Sequence, residues 1–302
     1  MSVVTTPPTE KQATATAAPA KGRPWPGGRP PGRQRPRRRG GANTPAARAV
    51  SALWFLTPLA LLVVVWLVVV AVVDPPLRVF PQVGDVLAAL GDMWSSGDLF
   101  DHLGASLRRM AIGAVIAIAT ALPFGIALGS SAALSAFFSP LLRFSVALAG
   151  IAWIPVATLW FGYGDRAVIF IVWNAMFFAI TYNAMLGVRQ IPIQLLRAAR
   201  SMGTTRLRMF WEVLLPGALP SVVTGLRVGL GYGWRGLVAA EIIASNAGLG
   251  YALFQAQKYF QTDVIIASMV IIGVLWLLMD RLMLAPLEKR TVERWGMTKA
   301  GS

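Results

Sequence analysis

The chain has 302 residues, of which 56% are hydrophobic and only 14% charged, against roughly 25% charge in soluble domains. That balance leaves too little polar surface for a soluble fold and predicts an all-α membrane protein. Cysteine is absent and histidine occurs once, which excludes disulfides and thiolate metal sites and argues against a histidine metal site; no metal is expected, and His102 is read as lying in a solvated loop.

The net charge of +15 suits nucleic acid, but its distribution points elsewhere. Ten of the 28 Lys and Arg fall in residues 1–50, where Glu10 is the only acid. This segment is rich in Pro, Gly, Ala and Thr and includes Arg35-Pro36-Arg37-Arg38-Arg39. It cannot bury enough apolar surface to offset chain entropy and reads as a disordered basic tail. Ahead of an apolar helix, such a tail serves topology and contact with membrane lipid, so no nucleic-acid partner is expected.

A helix needs about 20 apolar residues to cross a bilayer. Six stretches meet that length: 52–73, 110–129, 141–161, 167–188, 221–244 and 264–285. Pro155 predicts a kink or break in the third. With the N-terminus inside, the tail, the segment 189–216 and the residues from Arg281 onward collect twenty Lys and Arg, and the external segments five. The external segment 74–109 carries five aspartates instead: Asp74, Asp85, Asp92, Asp98 and Asp101. The bias places both termini, including a C-terminal tail at 291–302, in the cytoplasm, with a membrane domain over 51–290. Gly125 and Gly129, and then Gly225, Gly229 and Gly233, have the four-residue spacing that lets membrane helices approach closely.

Segment 189–216 is the most informative. Pro192 opens a helix at its first turn, Ile193 to Met202 has helical apolar spacing, Gly203 breaks it, and Leu207 to Val213 forms a second amphipathic piece. Such a helix–glycine–helix element suits either a docking knob for a partner protein or a loop lying on the lipid surface. Two ionisable residues stand deep in the fifth span, Arg235 and Glu241, where charge is costly. They lie about 120° apart around the helix and about 9 Å along it, so each needs a partner from another helix or a second subunit. Glu241 is read as the only acid well inside a span. Arg235 is read either as a contact for an anion in transit, since guanidinium matches sulfonate, carboxylate or nitrate oxygens, or as half of a buried ion pair that staples a dimer.

The stretch Ala198-Ala199, Gly203 and Leu215-Pro216 resembles the E-A-A…G…L-P motif of ABC importer permeases. Gly217 to Gly225, Tyr232 to Glu241 (YGWRGLVAAE), Gly248 to Tyr251 (GLGY) and Ser106 to Arg109 (SLRR) are similar to the nitrate/sulfonate/taurine branch of that family. The resemblance runs from about residue 80 to 287. It implies a type I ABC importer permease fold with about six transmembrane helices, in the bacterial plasma (inner) membrane. It also implies a homodimer, two ATP-binding subunits and an external solute-binding protein as partners. The loop then becomes the coupling element, carried by Arg197, Ala198, Ala199, Met202, Gly203, Leu207, Phe210, Leu215 and Pro216. Arg197 departs from the family, which has glutamate there. Trp153, Trp160, Asn174, Trp234, Arg235 and Glu241 become candidates for the substrate pathway.

No G-x-x-x-x-G-K-[S/T] phosphate loop occurs, so the chain is expected to hold no cofactor, with ATP and Mg bound by the partner ATPase. The expected function is non-catalytic: alternating access for a small anion such as an aliphatic sulfonate, taurine or nitrate. A thiamine-precursor pyrimidine is the alternative solute. An ion-coupled secondary transporter would show inverted repeats and several acids at mid-membrane, and a membrane enzyme would need a catalytic constellation; neither pattern is found.

Overall fold

Residues 45–73, 76, 80–148 and 150–284 are described by the computed structural model. Both expected tails, apart from residues 45–50, and with them the placement of the two termini, lie outside the described residues. Two compact units divide at Leu61, and the first contributes only the start of the first helix to the described residues.

Helix α1, Pro45–Val73, begins inside the segment read as tail. The external segment expected at 74–109 is largely helical. Helix α2, Val83–Ser95, is opened by a capping box in which the Gln82 N–H donates to Asp85 at 3.0 Å. Helix α3, Asp98–Ser130, starts after Gly97 in the left-handed region, with Asp98 and Asp101 in its first turn, where the helix dipole favours acids. His102 therefore sits on a helix and is half-buried, not in a solvated loop.

The stretch 141–161 is not one span. Ser131 caps helix α4, Ala132–Ala147, which also absorbs the loop expected at 130–140. A 3₁₀ turn at Gly150–Trp153 then leads into helix α5, Ile154–Phe161, and the two segments are bent by 95°. Pro155 sits at the start of α5, where a missing N–H is harmless, so the break falls ahead of the proline rather than at it.

Helix α6, Asp165–Arg189, is followed by the short α7, Ile193–Ser201. A three-residue helix α8, Arg206–Arg208, passes through a π turn at Met209–Leu214 into α9, Leu215–Ala244. Pro216 and Pro220 thus lie within this helical run rather than ahead of it. Helix α10, Leu249–Lys258, and α11, Thr262–Met279, complete the order, with a second π turn at Asp280–Leu284.

Among the described residues four helical stretches are long and apolar enough to cross a membrane, or five with the bent pair as one; Ala60–Val73 is a shorter apolar segment. Helix α6 is the most enclosed, with 56% of its apolar window buried against 11% for the α11 span. It packs between α3 and α9 around Met110, Ala117, Ile171, Met176, Ile180 and Leu237. The glycine spacing explains how closely α9 approaches. A Cβ at Gly225 would stand 2.5 Å from Asn183, one at Gly229 3.1 Å from Ile180, and one at Gly233 2.7 Å from Met176. Leu61 to Val73 and the Val115 face of α3 are exposed large apolar surface, as lipid-facing helices require.

Candidate functional site

Three features of the fold carry chemistry: the loop before α9, a cavity at mid-span, and a buried charge cluster at the α9–α10 turn. In the loop, Pro192 caps α7, and Gly203 (φ 76°) ends it in a Schellman arrangement. The Thr204 N–H donates to Ala199 O at 3.2 Å and the Gly203 N–H to Arg200 O at 3.0 Å. Ala199 is buried, whereas Arg197, Ala198, Met202 and Leu207 are exposed. Phe210, Leu215 and Pro216 are half-buried. Trp211, which the motif does not mark, is exposed and edge-on to Phe210, with ring centroids 5.1 Å apart. Met202, Leu207 and Trp211 thus leave an apolar surface on the loop.

The cavity has a volume of about 380 Å³ and lies between the α4–α5 bend, α6 and α9. Ser145, Leu148, Gly150 and Ile151 form one wall; Asn174 and Phe178 of α6 and Tyr232 and Arg235 of α9 form the other. Arg235 is exposed, with its guanidinium 5.8 Å from the centre of the Tyr232 ring. No carboxylate pairs with it among the described residues.

The sequence-predicted pathway residues divide. Asn174 and Arg235 meet at the cavity; the other four do not line it. Trp234 is buried and stacks on Trp276 at 6.4 Å, facing away from Arg235. Trp160 is exposed and edge-on to Phe161 and Phe170. Trp153 packs on the core, and its buried Nε1–H has no acceptor among the described residues.

Glu241 is fully buried at the end of α9, within the third feature. Arg109 donates to it at 2.9 Å, the Ser106 hydroxyl at 2.8 Å, and the Gly250 N–H at 3.1 Å. Arg109, also buried, reaches Asp165 at 2.7 Å and the Ala247 carbonyl at 2.6 Å. Ser106 accepts from the Leu249 N–H at 2.9 Å, and His102 Nδ1 from the Gly248 N–H at 3.2 Å. Arg108 also pairs with Asp165. A side chain at Gly248 would collide with the Glu241 carboxylate, and one at Gly250 with the Val238 carbonyl. The SLRR, VAAE and GLGY stretches, read separately in the sequence, therefore close around one carboxylate.

Sequence reasoning also passed over a second pair inside the spans. Arg227 of α9 forks onto Asp280 with 3.1 Å bonds to both carboxylate oxygens. Asp280 caps the C-terminal end of α11, within the stretch 264–285; scanning that stretch for charge would have found it.

Residues 121–285 match the family described as "Binding-protein-dependent transport system inner membrane component". The chain is 34% identical over 239 residues to the taurine transport system permease protein TauC of Escherichia coli (strain K12), covering 77% of this chain and 86% of that protein. It is 36% identical over 248 residues to the putative aliphatic sulfonates transport permease protein SsuC of the same organism, covering 81% and 91%. The bicarbonate transport system permease protein CmpB of Synechococcus elongatus is 36% identical over 185 residues, covering 61% and 66%. An all-helical chain with several spanning helices and these relatives belongs to the family of inner-membrane permease components of ABC importers, and is a multi-pass membrane protein.

Proposed function

We propose that the chain forms the translocation pathway of an ATP-driven importer for a small oxyanion, as a homodimer. The observation that carries the anion is Arg235, a cation within a span that faces a cavity and has no carboxylate partner in the described chain. Charge at that depth faces a water-filled route or a partner, and a guanidinium there suits sulfonate, carboxylate or bicarbonate oxygens. The named relatives carry taurine, aliphatic sulfonates and bicarbonate, and all three present an anionic oxygen group.

The ATP-driven reading rests on the family. Without a phosphate loop the chain relies on separate ATP-binding subunits to hold ATP and Mg. Their docking surface is the 193–213 loop, where α7 and the exposed Met202, Leu207 and Trp211 are presented. Arg197 gives that surface a positive charge, so the partner offers an acid or a shape contact opposite it. An external binding protein delivers solute to the other face, and rigid-body rocking alternates access.

The test is co-expression with the ATP-binding subunit and binding protein, followed by uptake into proteoliposomes. ATP-dependent uptake of ethanesulfonate, nitrate or bicarbonate is expected, with Gly203→Pro and Ala199→Asp abolishing it along with co-purification of the ATPase. Uptake driven by an ion gradient without the ATPase sinks the proposal, as does full transport in both loop variants.

A further inference from the structure

The cavity holds more polar chemistry than Arg235. Asn174 is 5% exposed and Ser145 7% exposed, and both line it. Neither side chain has a hydrogen-bond partner among the described residues. The two residues are buried as a whole while their polar atoms stay accessible, and from different helices they line the same space as a cation with no carboxylate partner among the described residues.

We propose that Asn174 and Ser145 are the hydrogen-bond donors that, with Arg235, hold the oxyanion head of the transported solute. This rests on the anion reading of the cavity and adds to it the residues that distinguish one anion from another. The Asn174 amide brings two N–H donors from α6, the Ser145 hydroxyl brings one from α4, and the guanidinium comes from α9. Three donors on three separate helices converge on one space, which matches a group with several acceptor oxygens and does not match a spherical halide. The single cation among the lining residues matches one negative charge. The volume of about 380 Å³ lies at the small end of ligand pockets, which run from about 300 to 1,000 Å³, so the solute is small.

The bend in the α4–α5 pair is part of the site. Irregular backbone at membrane depth is tolerated where it lines a cavity or is buried in protein. Here Leu148, Gly150 and Ile151, at the break, form the wall next to Ser145. A straight helix through 141–161 would not turn this wall toward Asn174 and Arg235.

The experiment uses the complete transporter with its ATP-binding subunit and binding protein in proteoliposomes. Uptake of ethanesulfonate, nitrate and bicarbonate is compared with ATP hydrolysis stimulated by the binding protein. Asn174→Leu is expected to lower uptake at least about tenfold while stimulated hydrolysis stays within about twofold. Asn174→Gln, which keeps the donors, is expected to recover at least a third of wild-type uptake, and Ser145→Ala to lose about threefold. Wild-type uptake in both Asn174→Leu and Ser145→Ala overturns the donor assignment. So does an equal fall of uptake and hydrolysis in Asn174→Leu and Asn174→Gln, which marks a packing role. Arg235→Gln separates the two levels. If it abolishes uptake and the Asn174 and Ser145 variants do not, only the donors are wrong. If the wild type moves none of the three anions, the anion reading itself falls.

Discussion

Arg235 and Glu241 stand six residues apart on one helix, and their surroundings differ in every respect that matters to a charge. Glu241 is sealed, with Arg109, Ser106 and the Gly250 N–H all donating to its oxygens. Arg235 meets only the face of Tyr232 and an open cavity. A buried charge with a filled shell is committed to joining its neighbours, because withdrawing one partner strands the other. A charge in a span with no partner is available to whatever passes. One end of α9 therefore fastens helices together, while its middle is left open for exchange.

Breaking the sealed end gives the largest expected effect. Glu241→Ala leaves Arg109 buried with one of its two carboxylate partners and is expected to cost about 3–5 kcal/mol. The drop is read from the thermal midpoint and the monodisperse yield in detergent. Arg109→Met combined with Glu241→Leu is expected to recover part of that loss, since apolar replacement of both partners avoids the stranded charge. A wild-type midpoint in Glu241→Ala shows that the cluster does not fasten α3 to α9.

Ahead of both regions along α9 lies the glycine face, and its effect is intermediate. Gly225→Val drives a side chain into Asn183, where even a Cβ would sit 2.5 Å away. About 1–3 kcal/mol of destabilisation is expected from the overpacking, measured on the same midpoint. The smallest stability effect belongs to Arg235→Gln, expected to shift the midpoint by no more than about 0.5 kcal/mol. A large destabilisation there would show that Arg235 holds structure, and the contrast with Glu241 would fail.

The parts of the fold that length and hydropathy govern were legible in the sequence. The stretches 167–188 and 221–244 lie within α6 and α9, and the helix expected from Ile193 to a break at Gly203 is found at Ile193–Ser201, with Gly203 in the left-handed region after it. The bent pair was not, because an apolar window records length and not direction. Pro155 signalled a break, but a proline in the first turn of a helix is tolerated, and the bend lies upstream of it. Of the residues read as pathway candidates, Asn174 and Arg235 line one cavity, whereas Trp234 stacks on Trp276. Adjacent positions on a helix point about 100° apart, so a motif that contains a pathway residue also contains neighbours that face the core. The closure of Ser106, Arg109 and Gly250 on Glu241 joins residues more than 130 positions apart in two of its three bonds. No local spacing encodes that meeting.

The helical run from Met209 to Ala244 spans 36 residues without a gap, or about 54 Å of rod. Its foot is the loop, its shaft passes Arg235 about 39 Å along, and its head is Glu241 about 48 Å along. A rod of this kind has little axial give, and its one soft joint is the π turn at Met209–Leu214, close to the foot. On the proposed docking at the loop, a push or tilt received there would reach the wall of the cavity as a swing about the fastened head.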